Sequence, residues 1–457
     1  MRTRRCRLDR APRLRYGRPA WVVFLKPVRI ALTTRRRPFV AHLRLAFAVV
    51  LSAVGFGYAA HSLWLGLSLA HPMPLGDQWY VVRDYFDYLD GRYRWGGLFS
   101  QHNEHRLATT RIVLFADAIL FRMRGLLPIV VMYASLAAIA LTCARLASRQ
   151  GIERFTCVAL AFGLLWSTSQ WADLAGQFQL QFTFVHLFAL VTLVALWRAN
   201  EANFAVWMAI AVAADALAVF SLGSGLLLIA PALLLLAWLR ASRAVWSFAL
   251  FHAALVGLYF VGYERPPHSV LYSFDFVSFL ATAAEFVGLP VVKHQLFAGL
   301  LGIALLAILV AHISYRATVR APIDPACCVL AALAVFVLCE ALLVGYVRAN
   351  YGVGPRYATV SVVFWAALLA ALWKMTQQKR ARLLLPWMAA AAVVAANAPA
   401  FEAAWREQIA FLTRVTDEVR GGTFDPLAMR RLYELDWTSQ AVARLRALQL
   451  GPFAPGR

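Results

Sequence analysis

The sequence predicts an all-α fold: a polytopic transmembrane helical bundle of about 11 to 13 spans, with juxtamembrane helices on its outer face and a small C-terminal helical tail. Of its 457 residues, 61% are hydrophobic and 15% are charged, and the mean hydropathy is +0.63. A soluble domain carries about 25% charged residues. Apolar runs of roughly 17 to 25 residues recur along the chain, each long enough to cross a hydrocarbon core as a helix. The composition therefore indicates an integral membrane protein.

Basic residues are concentrated in the N-terminal arm and between the apolar runs, and the formal net charge is +22. In a soluble protein this charge would suggest nucleic acid. Here the distribution is typical of orientation in a bilayer, so we expect no nucleic-acid partner. Residues 1–43 are too long and too arginine-rich for a plain signal peptide. We interpret them as a disordered cytoplasmic arm that contacts anionic membrane lipids. The cysteines include no CxxC pair, so neither a disulfide framework nor a zinc site is predicted.

The transmembrane domain is predicted over residues 44–400, with a first outer loop at 70–106. Its eleven spans are predicted from apolar runs alone. They cover residues 44–69, 126–146, 155–171, 180–198, 203–221, 223–239, 245–263, 295–314, 326–347, 358–374 and 384–400.

Two further apolar segments are ambiguous, because each carries ionisable residues. Residues 107–121 and 276–292 could either cross the bilayer or lie at the interface. If both stay on the outer side, the arginine-rich short loops all fall in the cytoplasm, as the positive-inside rule requires. We therefore expect eleven full spans, a cytoplasmic N-terminus and an outer C-terminus. The tail, residues 401–457, has helical periodicity and is predicted to form a small helical cap on the outer side.

Asp77 follows the first span in the sequence HPMPLGDQWY, where proline and glycine end the helix. This places a carboxylate just above the outer membrane surface. One interpretation is a helix N-cap for the segment that follows. The other is a general base that accepts a proton from an acceptor hydroxyl as the hydroxyl attacks an activated sugar.

The stretch QHNEHR holds the densest group of polar side chains in the first outer loop. On a helix, His102 and His105 would share a face, with Arg106 nearby and Glu104 offset. Three interpretations remain open. The stretch could be a hydrogen-bonded N-cap, it could bind donor phosphate or acceptor sugar, or it could hold a metal ion.

A second polar stretch, QWADLAGQFQLQF at 170–182, lies at the predicted outer end of two spans. Asp173 and Gln177 are candidates for sugar recognition, because hydroxyl groups need hydrogen bonds and ring faces need apolar contacts. The alternative is polar packing between helix ends.

Basic residues on the outer face run against the positive-inside bias, so each needs a partner. In YGVGPRYATV the backbone is broken so that Arg356 and Tyr357 enter a span together, and Tyr357 is a candidate for contact with substrate. Such cations could hold an anionic donor and stabilise its leaving phosphate, or pair with lipid headgroups and local acids. Arg356 is the first candidate, and the others are Arg265, Lys293, His294 and Arg348.

The order of these features resembles the N-terminal module of the GT-C class of membrane glycosyltransferases. A first span is followed by Asp77, a juxtamembrane helix ending in glycine, a polar knot and a hydrophobic helix, over roughly residues 41–121. The class uses polyprenyl-phosphate sugars, and its bacterial members include mannosyltransferase-like and aminoarabinose-transferase-like proteins. The resemblance implies that Asp77 acts as base or helps to bind metal. Several families have two acids there and this chain has Gly-Asp-Gln-Trp, so a divalent cation is only one option.

The predicted function is transfer of a sugar from a polyprenyl-phosphate donor to a glycan, lipid or protein acceptor, on the periplasmic face of a bacterial inner membrane. The main alternative is a transporter or flippase for a lipid-linked saccharide. It would place ionisable residues near mid-span, where Asp215, Glu285 and Glu340 are the candidates. A third possibility is a catalytically inactive membrane protein.

Overall fold

The computed structural model describes residues 36–148, 151–266, 275–291, 293–349, 352–376, 384–423, 432 and 438–455. The chain divides into two compact units, residues 1–46 and 47–457. The described part of the first unit is residues 36–46, at the N-terminal end of α1. The prediction of a disordered arm over residues 1–43 is wrong for residues 36–43, because α1 includes them from Arg36 on. Pro38 does not prevent this, since proline is tolerated in a first helical turn. The rest of the arm lies outside the described residues.

The fold is all-α, as predicted. The helices are α1 (Arg36–Ser68), α2 (Gln78–Leu89), α3 (Ala108–Phe121), α4 (Leu126–Ala147), α5 (Gly151–Leu165), α6 (Trp171–Ala175), α7 (Leu180–Glu201), α8 (Phe204–Val219), α9 (Ile229–Leu239), α10 (Ser242–Tyr259), α11 (Phe276–Gly288), α12 (Gln295–Thr318), α13 (Pro325–Arg348), α14 (Ala358–Thr376), α15 (Leu384–Gly421) and α16 (Thr438–Ala447). Two short strands, β1 (Gln101–His102) and β2 (His105–Arg106), pair antiparallel.

Every predicted span overlaps a helix, although α5 ends at Leu165, six residues before the predicted end of the span at 155–171. The apolar helices make the protein a multi-pass membrane protein. Within the described residues, six helical segments are long and apolar enough to cross a membrane: Leu45–Ser68, Leu126–Ala147, Gln177–Glu201, Gln295–Thr318, Pro325–Arg348 and Pro355–Met375. Shorter apolar helices cover Phe204–Val219, Gly223–Leu239 and Phe276–Gly288. The total of 11 to 13 spans stays a prediction.

The predicted boundary between the last span and the tail, at residues 400 and 401, is not a structural break. Helix α15 continues through Pro399 as one helix of 38 residues. Proline removes only one backbone hydrogen bond, and the alanine-rich neighbours favour a helix. The predicted periodicity of the tail is confirmed, because Trp405, Leu412 and Val415 are buried along one face.

The C-terminal segment packs against the residues that follow α2 and α3. Arg444 of α16 donates to the Asp90 carboxylate at 2.9 Å. The Gly451 N–H donates to the Arg122 carbonyl at 2.8 Å. The predicted C-terminal cap is therefore attached to the first loop region, although much of its connecting segment lies outside the described residues.

Small residues allow the first helix to approach its neighbours closely. Gly55 of α1 faces the backbone of α5, where a Cβ atom would come within 2.4 Å of the Ala159 carbonyl oxygen. Close backbone approach of this kind is typical of helix packing in membranes, where small residues occupy the interfaces.

Candidate functional site

Five of the segments predicted to lie on the outer face meet at one end of the bundle. Hydrogen bonds between side chains and backbone connect them across long sequence separations. The residues in contact lie at 70–107, 169–179, 221–224, 259–264 and 355–359, of which 259–263 and 358–359 were predicted as the ends of spans. We call this end of the bundle the site end. The clustering was predicted from the topology, and the contacts confirm that the polar loops share one end.

Asp77 stands at the N-cap position of α2, with φ −61° and ψ −10°. Its side chain makes no capping hydrogen bond, so the N-cap interpretation of this carboxylate is wrong. Gly76, just before it, has φ +56°, and its N–H donates to the Leu432 carbonyl at 2.9 Å. Glycine adopts this left-handed conformation without a Cβ penalty. The turn therefore leaves the carboxylate available for another partner.

That partner is His102. Its Nε2 lies 3.3 Å from Asp77 Oδ2, and the imidazole is 6% exposed while the Asp77 side chain is 37% exposed. Burial raises the pKa of Asp77, but the hydrogen bond and charge of His102 and the charge of Arg356 outweigh burial and lower that pKa below its usual value. Asp77 is therefore ionised at neutral pH and is the more accessible member of the pair.

The QHNEHR stretch forms a β-hairpin, not a helix. His102 pairs with His105 and Gln101 pairs with Arg106 across the two strands. Asn103 at the turn has φ +49°, a left-handed conformation that asparagine tolerates better than most residues. Predicting a shared helical face was therefore wrong, although cross-strand pairing still places the two histidines side by side.

His105 is held through its ring. Its Nδ1 accepts a hydrogen bond from the Gly223 N–H at 3.3 Å. Burial lowers the pKa of His105 to about 4, which the neighbouring Glu104 carboxylate only partly opposes. The ring is therefore neutral at pH 7 and can serve as a hydrogen-bonding group but not as a fixed cation.

Arg106 anchors the hairpin. Its guanidinium donates to the carbonyls of Phe99 at 2.7 Å, Tyr259 at 2.8 Å and Val261 at 2.6 Å. The Glu104 carbonyl accepts from the Tyr259 hydroxyl at 2.8 Å. Arg106 was a candidate for binding donor phosphate, but three backbone carbonyls already accept from its guanidinium. Arg106 and the Glu104 backbone therefore fit the interpretation of this stretch as a hydrogen-bonded structural element.

A cavity of about 300 Å³ opens beside this site. It is lined by residues from the loop before α2, the 170–179 segment, the 348–356 connection and α15. Its polar and aromatic lining consists of Trp171, Gln179, Arg348, Arg356 and Gln408. A mixture of one large aromatic ring, two amides and two guanidinium groups suits a ligand with hydroxyl groups and an anion.

Arg348 and Arg356 flank the same aromatic ring. Their guanidinium carbons lie 5.7 Å and 5.4 Å from the centre of the Tyr357 ring. Within the described residues, neither arginine has an ion pair or a hydrogen bond to an acid. Two like charges at one cavity repel each other unless an anion binds between them. The prediction for Arg356 is therefore supported by its place in the cavity, and Arg348 joins it.

Tyr357 itself belongs to the core of the site end. It is 9% exposed, and its ring centre lies 5.5 Å from Phe182 and 5.2 Å from Phe286. It was predicted to contact substrate. In the structure its ring instead packs against the two guanidinium groups and does not line the cavity.

Lys293 and His294 do not join this group. Both side chains are exposed just before α12, and neither lines the cavity. No contact between them and Asp77 occurs within the part of the chain that the structure describes. Their predicted role in phosphate binding therefore has no geometric support.

Asp173 and Gln177 are buried and form hydrogen bonds that connect neighbouring segments. Asp173 is fully buried, and its Oδ2 accepts from the Thr359 hydroxyl at 2.6 Å at the start of α14. Burial raises the pKa of Asp173 well above its usual value, which favours the protonated form of this acid. Gln177 donates to the His71 carbonyl at 2.7 Å and accepts from Gln78 at 2.8 Å. For Asp173 and Gln177, these bonds agree with the alternative interpretation, polar packing between helix ends.

Sequence reasoning missed Trp171 and Gln408 as cavity residues. Trp171 lies inside the stretch predicted to recognise sugar, as does Gln179, whose amide fits that prediction. Gln408 is an isolated polar residue on a helix whose orientation could not be known from sequence.

Two acid–histidine pairs lie away from the cavity, within the helical bundle. His186 of α7 contacts Glu340 of α13 at 2.7 Å, and His252 of α10 contacts Asp215 of α8 at 2.8 Å. All four side chains are buried. They include two of the three acids that the transporter alternative would use, while Glu285 is partly buried on α11.

A metal site is not assembled here. Within the described residues, no three His, Cys, Asp or Glu side chains are grouped so that they could hold a metal ion. Asp77 and His102 supply two potential ligands, fewer than the three or four protein ligands of a zinc site. We therefore assign no step to a divalent cation.

Comparison with known proteins identifies no relative: no family model, no curated protein and no solved structure matches the chain.

Proposed function

We propose that the protein is a glycosyltransferase of the bacterial inner membrane. It would move a sugar from a polyprenyl-phosphate donor to a hydroxyl of a glycan, lipid or protein acceptor on the periplasmic face. The observation that carries this proposal is the pairing of two features at the site end. An ionised, partly exposed Asp77 lies near a cavity lined by two arginines, neither of which forms an ion pair with an acid in the described part of the chain.

The proposed reaction is a single displacement. The acceptor oxygen attacks the anomeric carbon while its proton passes to the Asp77 carboxylate, and the bond between that carbon and the phosphate oxygen breaks. Arg348 and Arg356 would stabilise the negative charge that develops on the leaving polyprenyl phosphate. In-line attack predicts inversion at the anomeric carbon. His102 would orient the Asp77 carboxylate through their 3.3 Å contact.

Asp77 is preferred over His102 as the base because of exposure. The carboxylate is 37% exposed and the imidazole 6%. An incoming hydroxyl can therefore reach the Asp77 oxygen, whereas His102 is enclosed between the Tyr80 and Phe178 rings, at 4.8 Å and 5.3 Å.

The second candidate is a transporter or flippase for a lipid-linked saccharide. The buried pairs formed by His186 with Glu340 and His252 with Asp215 favour it, because ionisable residues inside membranes often serve transport. Neither pair lines the cavity, however, and each histidine also contacts a backbone carbonyl. This closed arrangement supports a structural role more than a conducting one.

An experiment in proteoliposomes separates the two functions. The purified protein is reconstituted with a radiolabelled polyprenyl-phosphate sugar and a crude lipid and glycan extract. A transferase converts the label into a new product and releases polyprenyl phosphate, whether or not the membrane is intact. A flippase moves the intact donor between leaflets and releases nothing. Translocation without product formation would refute the proposed function.

A further inference from the structure

The turn Gly223–Leu228, between α8 and α9, connects the membrane interior to the site end. We call it the 223–228 turn. On its inner side, the Ser224 hydroxyl donates to Glu340 Oε1 at 2.6 Å, and Glu340 Oε2 contacts His186 Nε2 at 2.7 Å. His186 Nδ1 in turn contacts the Phe182 carbonyl. The side chains of His186 and Glu340 are at most 4% exposed. A buried polar chain of this kind is costly to form, so its placement requires an explanation.

A second chain holds the same turn from another side. His252 Nε2 donates to the Leu226 carbonyl at 3.1 Å, while its Nδ1 lies 2.8 Å from Asp215 Oδ2. Two acid–histidine pairs, from four different helices, therefore converge on one turn of six residues.

The outer side of the turn contacts the candidate active site. Gly223 directly precedes Ser224 in the chain, and its N–H donates to His105 Nδ1 at 3.3 Å. A Cβ atom at Gly223 would lie 2.9 Å from His105 Nδ1 and 2.9 Å from the Tyr259 hydroxyl, so the turn and the hairpin fit closely. His105 pairs with His102 across the hairpin, and His102 contacts Asp77.

We propose that Ser224, Glu340 and His186 are positioning residues, which act through the 223–228 turn and His105 to fix the Asp77–His102 pair. The consequence for turnover rests on the proposed transferase function, but the positioning itself does not. Without the Ser224–Glu340 hydrogen bond, the inner side of the 223–228 turn is no longer held to α13 and the turn can shift. The Gly223 N–H then leaves His105, and the hairpin loses the contact that fixes its second histidine.

The test measures the reactivity of individual histidines in the intact protein. Diethyl pyrocarbonate modifies unprotonated imidazole nitrogens, and site-resolved mass spectrometry gives a rate for each histidine. His105 Nδ1 is shielded while it accepts the Gly223 hydrogen bond. In Ser224→Ala and Glu340→Ala, we expect the His105 rate to rise about five-fold, the factor that corresponds to one ordinary hydrogen bond.

Two controls make the result specific. Glu340→Gln keeps both bonds, because its amide oxygen can accept from Ser224 and its NH₂ can donate to a neutral His186, so its His105 rate should equal that of the wild type. His71, whose Nδ1 accepts from the Met73 N–H at 3.1 Å, reports on general loosening and should not change. An unchanged His105 rate in both alanine variants would overturn the proposal. So would an equal rise at His71, or a Glu340→Gln variant that behaves like Glu340→Ala.

Gly223→Ala tests the same connection from the other side. Its Cβ should displace His105 and raise the reactivity of that histidine. Gly257→Ala is the matched control, because a Cβ at Gly257 meets nothing within 4 Å. Equal His105 rates in the two variants would contradict the proposal.

A turnover assay on Ser224→Ala then addresses the transferase. We expect a lower kcat with an unchanged KM for donor, because the positioning residues touch Asp77 indirectly and the cavity arginines not at all. A KM effect with unchanged kcat would overturn the positioning role. If the wild type has no activity, the proposed function fails, while the histidine reactivities still decide whether the turn positions His105.

Discussion

Replacing Arg356 by glutamine tests the anion site most sharply. The side chain lines the cavity, lies against Tyr357 and forms no direct ion pair within the described residues, so its removal breaks none. Glutamine keeps a polar chain of similar reach but removes the charge. The fold should therefore tolerate the change, and its effects should appear in donor binding and in the behaviour of Asp77.

The expected magnitude follows from the contact that a phosphate would make. A hydrogen bond to a charged group contributes about 1.5–3 kcal/mol, which corresponds to roughly 10- to 150-fold weaker donor binding. Arg348 shares the Tyr357 ring with Arg356, so the effects of Arg348→Gln and Arg356→Gln should not add in the double variant.

The pH dependence provides a second readout. Arg356 is one of the positive charges that lower the pKa of Asp77. Activity requires ionised Asp77 and is lost as pH falls through that pKa. Removing the Arg356 charge raises the pKa, so the acid limb of the kcat/KM profile should move to higher pH.

The assay titrates a polyprenyl-phosphate sugar against the purified variants in nanodiscs and then records turnover against pH. Arg198→Gln is the matched control, because Arg198 lies 4.4 Å from the Trp197 ring but does not line the cavity. Donor affinity that is the same in Arg356→Gln, Arg198→Gln and wild type would refute the anion site.

Two further predictions concern the fold. Gly55→Ala should lower the unfolding temperature in detergent and destabilise the fold by about 1–3 kcal/mol, because its Cβ would overlap the Ala159 carbonyl. Gly57→Ala should change stability far less, since a Cβ there meets nothing within 4 Å, and equal effects would contradict this packing. For topology, single cysteines at Phe121 and Ile152, both 42% exposed, bracket α4. A membrane-impermeant maleimide added from outside should label only the first, and labelling of the second instead would reverse the predicted orientation.

The positions of the long helices could be predicted because each apolar run has the length that a membrane span requires. Their ends could not all be predicted, since α5 already ends at Leu165. The continuation of α15 through Pro399 could not, because proline usually marks a break and only the neighbouring alanines favour continuation. The hairpin at 101–106 was also missed. Its turn depends on the left-handed conformation of Asn103 and on anchors from Tyr259 and Val261, far away in the chain.

The site was predicted in part. Asp77 and Arg356 stood out because ionisable groups beside apolar spans need a reason, and the structure places both at the site end. Lys293 stood out for the same reason, but sequence cannot show which loop residues point toward a common cavity. The prediction for Asp173 was wrong because this acid is buried and its carboxylate is already used by the Thr359 hydroxyl.

The most direct test of the central claim compares wild type with Asp77→Asn for release of polyprenyl phosphate from a panel of polyprenyl-phosphate sugars. Asp87→Asn is the control, because this acid lies on the same helix and pairs with exposed Arg92 at 2.7 Å. We predict release by wild type and by Asp87→Asn, and loss of release in Asp77→Asn with donor binding retained. Equal release by wild type and Asp77→Asn, or no release by the wild type with any donor, would contradict the assignment of Asp77 as the base of a glycosyltransferase.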